Sequence, residues 1–166
     1  MKTSDKGKDF IKSFEKCSLK PYMDSAKPPV ATIGWGNTFY PNGKKVTIKD
    51  PVISQAFADQ MFDTILAMFE KDVNYLLGKV IVSQNQFDAL ISFAYNVGSD
   101  IDSDTIAEGL GDSTLMRKVL ANPNDPAIIK EFLKWNKGGG VVLNGLTKRR
   151  QAEANIYSRG IYVNHL

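Results

Sequence analysis

The chain has 166 residues, of which 43% are hydrophobic and 23% charged, and its formal net charge at pH 7 is +3. This length suits one compact domain or two lobes that share a core, and the ordinary composition excludes fibrous and disordered classes. The weak positive charge, without a basic run interleaved with aromatic residues, argues against nucleic acid as a partner.

The first part of the chain changes from a helical to a β pattern. Apolar spacing predicts a short helix from Ser4 to Lys16, and Lys20-Pro21 interrupts the pattern. From Tyr22 to Val46 the chain contains β-branched residues, glycines and the turn sequence Pro41-Asn42-Gly43. We therefore expect a small antiparallel β element with hairpin turns in this segment.

A long helical pattern follows from Ser54, and Gly78 is expected to end it. If it is continuous, this helix is about 35 Å long, enough to link two lobes. The apolar residues that recur at helical spacing are Phe57, Met61, Ile65, Phe69, Val73 and Leu77.

The rest of the chain is predicted to be helical. Ser83 and Gln86 form a capping box for a helix that Gly98 ends, and the polar, Asp-rich residues 99–112 are predicted to be a loop. Three more helices are expected. The first runs from Ser113 to Ala121, and the second is capped by Asp125-Pro126 and ends near Trp135. After a flexible turn at Gly138–Gly140, the third runs from about Thr147 to Ser158, before Gly160.

These elements predict an α+β, mostly helical fold in a single domain over residues 1–166. Residues 1–53 are expected to form a small α+β lobe with a β-hairpin sheet, residues 54–79 a connecting helix, and residues 80–166 a larger helical lobe. A cleft between unequal lobes is a natural place for an extended ligand.

Cellular context is limited by what the sequence lacks. Cys17 is the only cysteine, which excludes an intrachain disulfide framework and a zinc signature. The segment Met1–Lys12 is charged throughout and has no apolar stretch typical of a secretory signal. No apolar run approaches the roughly 18 residues of a membrane span, so we expect no stable membrane insertion.

Three side chains in the first third of the chain are suited to hydrolysing a glycosidic bond. Such hydrolysis needs an acid for the leaving oxygen and a second group that handles water or forms a covalent intermediate. Glu15 ends the first predicted helix, Asp24 follows Pro21, and Thr32 lies in the β element. Each alone is more typical of a solvated charge, a turn former and a strand residue. Their separation does not follow from the sequence, so inverting and retaining mechanisms both stay open.

Taken together, these residues resemble the signature of a known family. Glu15, Asp24 nine positions later, and the run Thr32–Thr38 are similar to the phage-type lysozymes or endolysins, glycoside hydrolase family twenty-four. The resemblance extends from about residue 8 to residue 160. Three further blocks carry it: Asn85–Gly98, Ser113–Leu115 with Arg117-Lys118, and a C-terminal block of Phe132–Trp135, the Gly138–Gly140 turn and Asn144–Glu153.

The resemblance implies a muramidase that cuts the β-1,4 bond between N-acetylmuramic acid and N-acetylglucosamine in bacterial peptidoglycan. Glu15 would be the general acid, Asp24 and Thr32 would position the attacking water, and the anomeric carbon would be inverted. No metal or organic cofactor is expected. The further residues implied are Gly36, Asn37, Tyr95 and Asn96 for substrate binding, and Arg149, Arg150 and Tyr22 for support, with one of the arginines a candidate partner of Glu15.

Three features depart from the family pattern. The gap between Asp24 and Thr32 is two residues longer than usual and contains Pro28-Pro29. Asn37 stands where histidine is common, and the loop over residues 99–112 is longer and more acidic than expected.

Several expectations and alternatives remain at this stage. We expect a monomer made in the host bacterial cytoplasm that reaches the wall through a membrane lesion of the kind a holin makes. A non-catalytic wall-binding module and an enzyme acting on chitin or chitosan are the alternatives. Trp35 either stacks on sugar or fills the small lobe, Trp135 is expected in the core, and His165 is given no role.

Overall fold

The computed structural model describes residues 1–164, and His165 lies outside them. None of the helices in this range is long and apolar enough to cross a membrane. The predicted α+β, mostly helical fold is confirmed. Its elements are α1 Asp5–Phe14, β1 Ser18–Met23, β2 Ala31–Gly34, α2 Gln55–Leu77, α3 Gln84–Val97, α4 Thr114–Ala121, α5 Ile128–Leu133, β3 Lys137–Gly138, β4 Val141–Val142 and α6 Asn144–Arg159.

The chain divides into two compact units. The smaller unit is Lys12–Met68, and the larger unit combines Met1–Ile11 with Phe69–Leu166. Helices α1 and α2 therefore each contribute residues to both units. That the chain works as one domain stays a prediction.

The smaller unit contains the predicted β element. Strands β1 and β2 are antiparallel, with Tyr22 opposite Thr32 and an irregularity between Ser18 and Tyr22. A second hairpin follows, closed by a bridge between Phe39 and Lys45. One apolar cluster of the unit combines residues from β2, the second hairpin and α2. Its buried members are Ile33, Val46 and Met61.

The larger unit is built around α3. The predicted capping box is confirmed, since the Ser83 hydroxyl accepts the N–H of Gln86 while the Gln86 side chain accepts the N–H of Ser83. All residues from Gln86 to Ala94 are buried, as expected for a central helix packed on several sides. Trp135 is half-buried, and its ring meets the Phe93 ring edge-on at 5.4 Å, which supports the predicted packing role.

A carboxylate on α3 ties the first residues of the chain to the larger unit. Asp88 is 1% exposed and accepts hydrogen bonds from the backbone N–H and the hydroxyl of Ser4. It also accepts bonds from Gln84 at 2.9 Å and from the Tyr162 hydroxyl at 2.7 Å. Gly7 packs directly on this group, because a Cβ there would lie 2.8 Å from the Asp88 carboxyl carbon.

A buried ionic cluster joins α3 to α6. Glu153 is fully buried and accepts hydrogen bonds from Ser92 on α3 at 2.7 Å and from Arg149 at 3.2 Å. Arg150, also fully buried, donates to Glu153 at 3.0 Å and to Asn96 at 2.9 Å. A second contact of 2.7 Å, between Arg150 Nε and Glu153 Oε2, is an ion pair without hydrogen-bond geometry. Burial lowers the pKa of Arg150, and the charge of Glu153 opposes that shift.

Two predicted helix starts are wrong. Helix α5 begins at Ile128 rather than at Pro126, because the Asp125 carboxylate accepts the N–H of Ala127 at 2.8 Å and forms a turn instead of a cap. Helix α6 begins at Asn144, three residues before the predicted Thr147, although no side chain caps it. The predicted stop at Gly160 is confirmed, since this residue is left-handed with φ 65°.

The ionic cluster predicts a large effect of Glu153→Gln. The change leaves the buried Arg150 guanidinium without its ionic partner, so we expect the free energy of unfolding to fall by about 3–5 kcal/mol. Urea denaturation measures the loss. The control is Glu108→Gln in the exposed loop, expected to stay within about 0.5 kcal/mol of the parent. Equal losses in the two variants would contradict the stabilising role of the pair.

Candidate active site

Glu15 follows directly after α1 and faces a glycine turn. The turn joins Ile33 to Asn37, whose backbone groups exchange two hydrogen bonds of 2.9 Å. Gly34 and Gly36 have φ of 65° and 85°, a left-handed conformation that favours glycine. A Cβ on Gly36 would lie 2.8 Å from Oε2 of Glu15. The missing side chain at Gly36 is therefore what lets the carboxylate lie against the turn backbone.

Asp24 is held rigidly in the connection between β1 and β2. Its Oδ1 accepts the N–H of Ala26 at 3.0 Å and of Val30 at 2.8 Å, and its own N–H donates to the Val30 carbonyl at 3.0 Å. No hydrogen bond from a described residue reaches Oδ2. One oxygen is thus used to fix the loop around Pro28-Pro29, and the other accepts no hydrogen bond from the described residues.

Thr32 and Tyr22 lie opposite each other on the two strands. Thr32 is 3% exposed, and its hydroxyl donates to the Val30 carbonyl at 3.0 Å. Burial raises the pKa of Tyr22, and the charges of Glu15 and Asp24 raise it further. The structure thus brings Tyr22 within electrostatic reach of both carboxylates.

Trp35 in the glycine turn is held by two residues, Lys12 and Asp59, that were not among the site residues predicted from the sequence. Its indole N–H donates to Asp59 at 2.8 Å, and the Lys12 ammonium lies 4.9 Å from its ring centre. Lys12 also contacts Asp59, at 3.5 Å. Trp35 therefore packs in the smaller unit with its N–H engaged, which supports the packing alternative over sugar stacking. Lys12 lies one helical turn before Glu15, the one local signal that could have identified it.

Asn37 closes the same turn and is 2% exposed. Its side-chain oxygen accepts the N–H of Trp35 at 3.1 Å. The predicted contact of Asn37 with substrate stays a prediction.

The other predicted site residues belong to the larger unit. Tyr95 is half-buried, with its ring 5.4 Å from that of Phe69. Asn96 is exposed and accepts a hydrogen bond from Arg150. Arg149 and Arg150 are buried around Glu153, and the pairing of one of them with Glu15 stays a prediction.

One group of described residues has the geometry to hold a cation. Carboxylate oxygens of Asp100, Asp102 and Asp112 lie within 4.8 Å of one another in the predicted loop. Burial raises the pKa of Asp112, and the neighbouring aspartates raise it further. Exposed acidic groups often cluster without a metal, so this geometry assigns no ion.

Comparison with known proteins identifies the family. A family model described as phage lysozyme matches residues 12–153. The chain belongs to the phage lysozyme family. This confirms the resemblance drawn from the sequence, and the matched region contains Glu15, Asp24 and Thr32.

Individual relatives agree with the family. The endolysin of Bacillus phage B103 is 40% identical over 160 residues, which cover 96% of this chain and 55% of the relative. The solved endolysin of Escherichia coli O157:H7 phage FAHEc1 is 35% identical with a TM-score of 0.82, covering 98% of this chain and 97% of that one. The muramidase domain of SpmX from Asticaccaulis excentricus is 27% identical with a TM-score of 0.74, covering 94% and 97%.

The chain spans 55% of the length of the Bacillus phage B103 endolysin and 56% of the length of a second relative, the endolysin of Bacillus phage PZA. Their similarity therefore establishes the family of this chain, while its activity as a whole protein is a matter for proposal.

The glycine turn predicts that Gly36→Ala harms activity more than stability. The left-handed φ costs about 1–2 kcal/mol for alanine, and the new methyl group must also displace the Glu15 carboxylate. Gly43→Ala is a matched control, because Gly43 has φ 83° and no atom within 4 Å of a Cβ.

We expect similar losses of unfolding free energy in both variants, measured by urea denaturation. If Glu15 is the acid that the sequence predicts, the rate of clearing a bacterial wall suspension should fall about 10- to 100-fold in Gly36→Ala alone, because the substitution displaces its carboxylate. Equal clearing rates would show that the close approach to Glu15 is unimportant.

Proposed function

We propose that this chain is an endolysin-like muramidase, a glycoside hydrolase that cuts the β-1,4 bond between N-acetylmuramic acid and N-acetylglucosamine in bacterial peptidoglycan. Membership of the phage lysozyme family supports the reaction class. The observation that carries the assignment of the acid is the approach of the Glu15 carboxylate to the Gly36 backbone, in the same unit as Asp24 and Thr32.

In this proposal Glu15 is the general acid. Its protonated carboxyl gives a proton to the glycosidic oxygen as the bond from that oxygen to the anomeric carbon breaks. Water attacks the anomeric carbon from the opposite face. The β-linked substrate then yields an α-configured product, which is the inversion expected of the family.

The hydrogen bonds around Asp24 and Thr32 support a shared role in holding that water. The Thr32 hydroxyl uses its hydrogen on the Val30 carbonyl, so its oxygen can accept a hydrogen from water. Asp24 Oδ2 offers a second, negatively charged acceptor because Oδ1 is engaged by the loop. Two acceptors for the two hydrogens leave a lone pair of the water directed at the anomeric carbon, and Asp24 takes the proton that the water loses.

The remaining expectations stay predictions from the sequence. They include substrate contacts from Gly36, Asn37, Tyr95 and Asn96, action as a monomer without a cofactor, and release to the wall through a holin-type lesion.

Replacing Glu15 with Gln should remove the acid while keeping the size of the side chain. Reducing-end release from purified peptidoglycan should fall about 10²- to 10⁴-fold. Mass analysis of the wild-type products should find chains that end in reducing N-acetylmuramic acid, and proton NMR of the first product should find its α-anomer. Glu108→Gln is the control, with unchanged release expected.

Release of reducing ends by Glu15→Gln at the full wild-type rate would contradict the assignment of Glu15 as the acid. Absence of release by the wild type from walls of several types would instead favour a wall-binding module. Faster cleavage of chitin or chitosan than of peptidoglycan would correct the substrate.

The role of Thr32 is tested by two substitutions of opposite chemistry. Thr32→Val keeps the shape but removes the hydroxyl, and the value of kcat should fall about 10- to 100-fold because the water is less well oriented. Thr32→Ser keeps the hydroxyl and should retain most of the rate. If both variants lose the same fraction of kcat, the hydroxyl is not what matters at this position.

A further inference from the structure

Asn37 is a buried amide whose two ends are used unequally. The residue is 2% exposed, and its Oδ1 accepts the N–H of Trp35. Its Nδ2 is buried, and no described residue accepts a hydrogen bond from it. An unsatisfied buried donor costs free energy, so an apolar residue would suit stability at least as well at this position.

The useful end of the side chain acts on the backbone of the glycine turn. A Cβ on Gly34 would lie 2.9 Å from Asn37 Oδ1, so the amide fills the space that this glycine leaves. The N–H of Trp35 that Oδ1 accepts lies between the two left-handed glycines. The side chain therefore reaches back inside the turn and holds its middle peptide group.

The held peptide group directly precedes the part of the turn against which Glu15 lies. Trp35 is followed directly by Gly36, whose missing Cβ would be 2.8 Å from Glu15 Oε2. Rotation of the peptide group that contains the Trp35 N–H would change both the space beside the Glu15 carboxyl and the backbone dipoles around it. A small error in the placement of a reacting group lowers the reaction rate strongly, although it changes the free energy of unfolding little.

We propose that Asn37 is a positioning residue, which fixes the glycine turn through the Trp35 N–H. It thereby keeps the acid Glu15 in the position from which it donates its proton. The role belongs to the oxygen of the amide. This inference rests on the proposed muramidase function, because it assigns Asn37 to the same reaction without contact to the reacting atoms.

Asn37→Leu and Asn37→Asp separate this role from packing. Leucine has a similar size and lacks both polar ends, so it loses the bond to Trp35 but also removes the unsatisfied donor. Aspartate keeps an oxygen acceptor in either protonation state. Asn42→Leu is the matched control, because Asn42 Oδ1 accepts the N–H of Lys44 at 2.9 Å in the second, exposed hairpin.

The measurements are kcat and KM on soluble peptidoglycan fragments at the optimal pH of each variant, the thermal midpoint, and hydrogen exchange of the Trp35 backbone amide by NMR. For Asn37→Leu we expect kcat to fall about 10- to 100-fold, with KM within about twofold. Its thermal midpoint should stay close to that of the wild type, and the Trp35 amide should exchange faster. Asn37→Asp should keep most of kcat and a slow Trp35 amide, and Asn42→Leu should leave kcat unchanged.

Wild-type kcat in Asn37→Leu, or an equal loss in Asn37→Asp, would overturn the positioning role. If the leucine variant does not fold, Asn37→Ala takes its place, and the comparison of alanine with aspartate decides in the same way. A wild-type protein that releases no reducing ends would refute the proposed function itself. An active wild type with a fully active leucine variant would refute the role of Asn37 alone.

Discussion

A carboxylate without solvent contact is stable inside a protein only where cations and hydrogen-bond donors surround it, and Glu153 imposes this requirement on the larger unit. Its partners come from two helices, because Ser92 lies on α3 whereas Arg149 and Arg150 lie on α6. The charges cannot be buried until the two helices dock. The docking also brings the Arg150 guanidinium to 4.9 Å from the ring centre of Phe93. The Phe93 ring in turn meets the rings of Phe132 on α5 and of Trp135 edge-on.

The smaller unit relies on backbone shape where the larger one relies on charge. Its candidate catalytic side chains all lie against peptide groups: the glycine turn faces Glu15, two N–H groups hold Asp24, and a carbonyl receives the Thr32 hydroxyl. For Asp24 and Thr32, these contacts use one oxygen or hydrogen of the side chain for anchoring and leave another acceptor position unused by them. Rigid placement of this kind is what catalysis requires of a site.

Local signals in the sequence were sufficient for much of the fold. Ser83 and Gln86 predicted their helix correctly because a capping box involves only residues within one turn. Asp125 was misassigned since the same side chain can cap a helix or close a turn, and the neighbouring structure decides between them. The role of Asp59 at Trp35 depends on a contact between residues far apart in the chain, which no spacing reveals, whereas Lys12 could have been noticed from its place one turn before Glu15. For Asn37, the sequence predicted its part in the motif, whereas its burial emerges from the folded turn.

The attachment of Ser4 to Asp88 has a consequence for the order of folding during synthesis. The residues Met1–Ile11 leave the ribosome before Lys12–Met68, yet they belong with a unit whose next residue is Phe69. Ser4 must wait for a partner 84 positions later, and Asp88 must wait in turn for Tyr162. The contiguous segment Lys12–Met68 has no such delay. On a growing chain it can gain its own contacts early, while Ser4 lacks its Asp88 partner until residue 88 has been made.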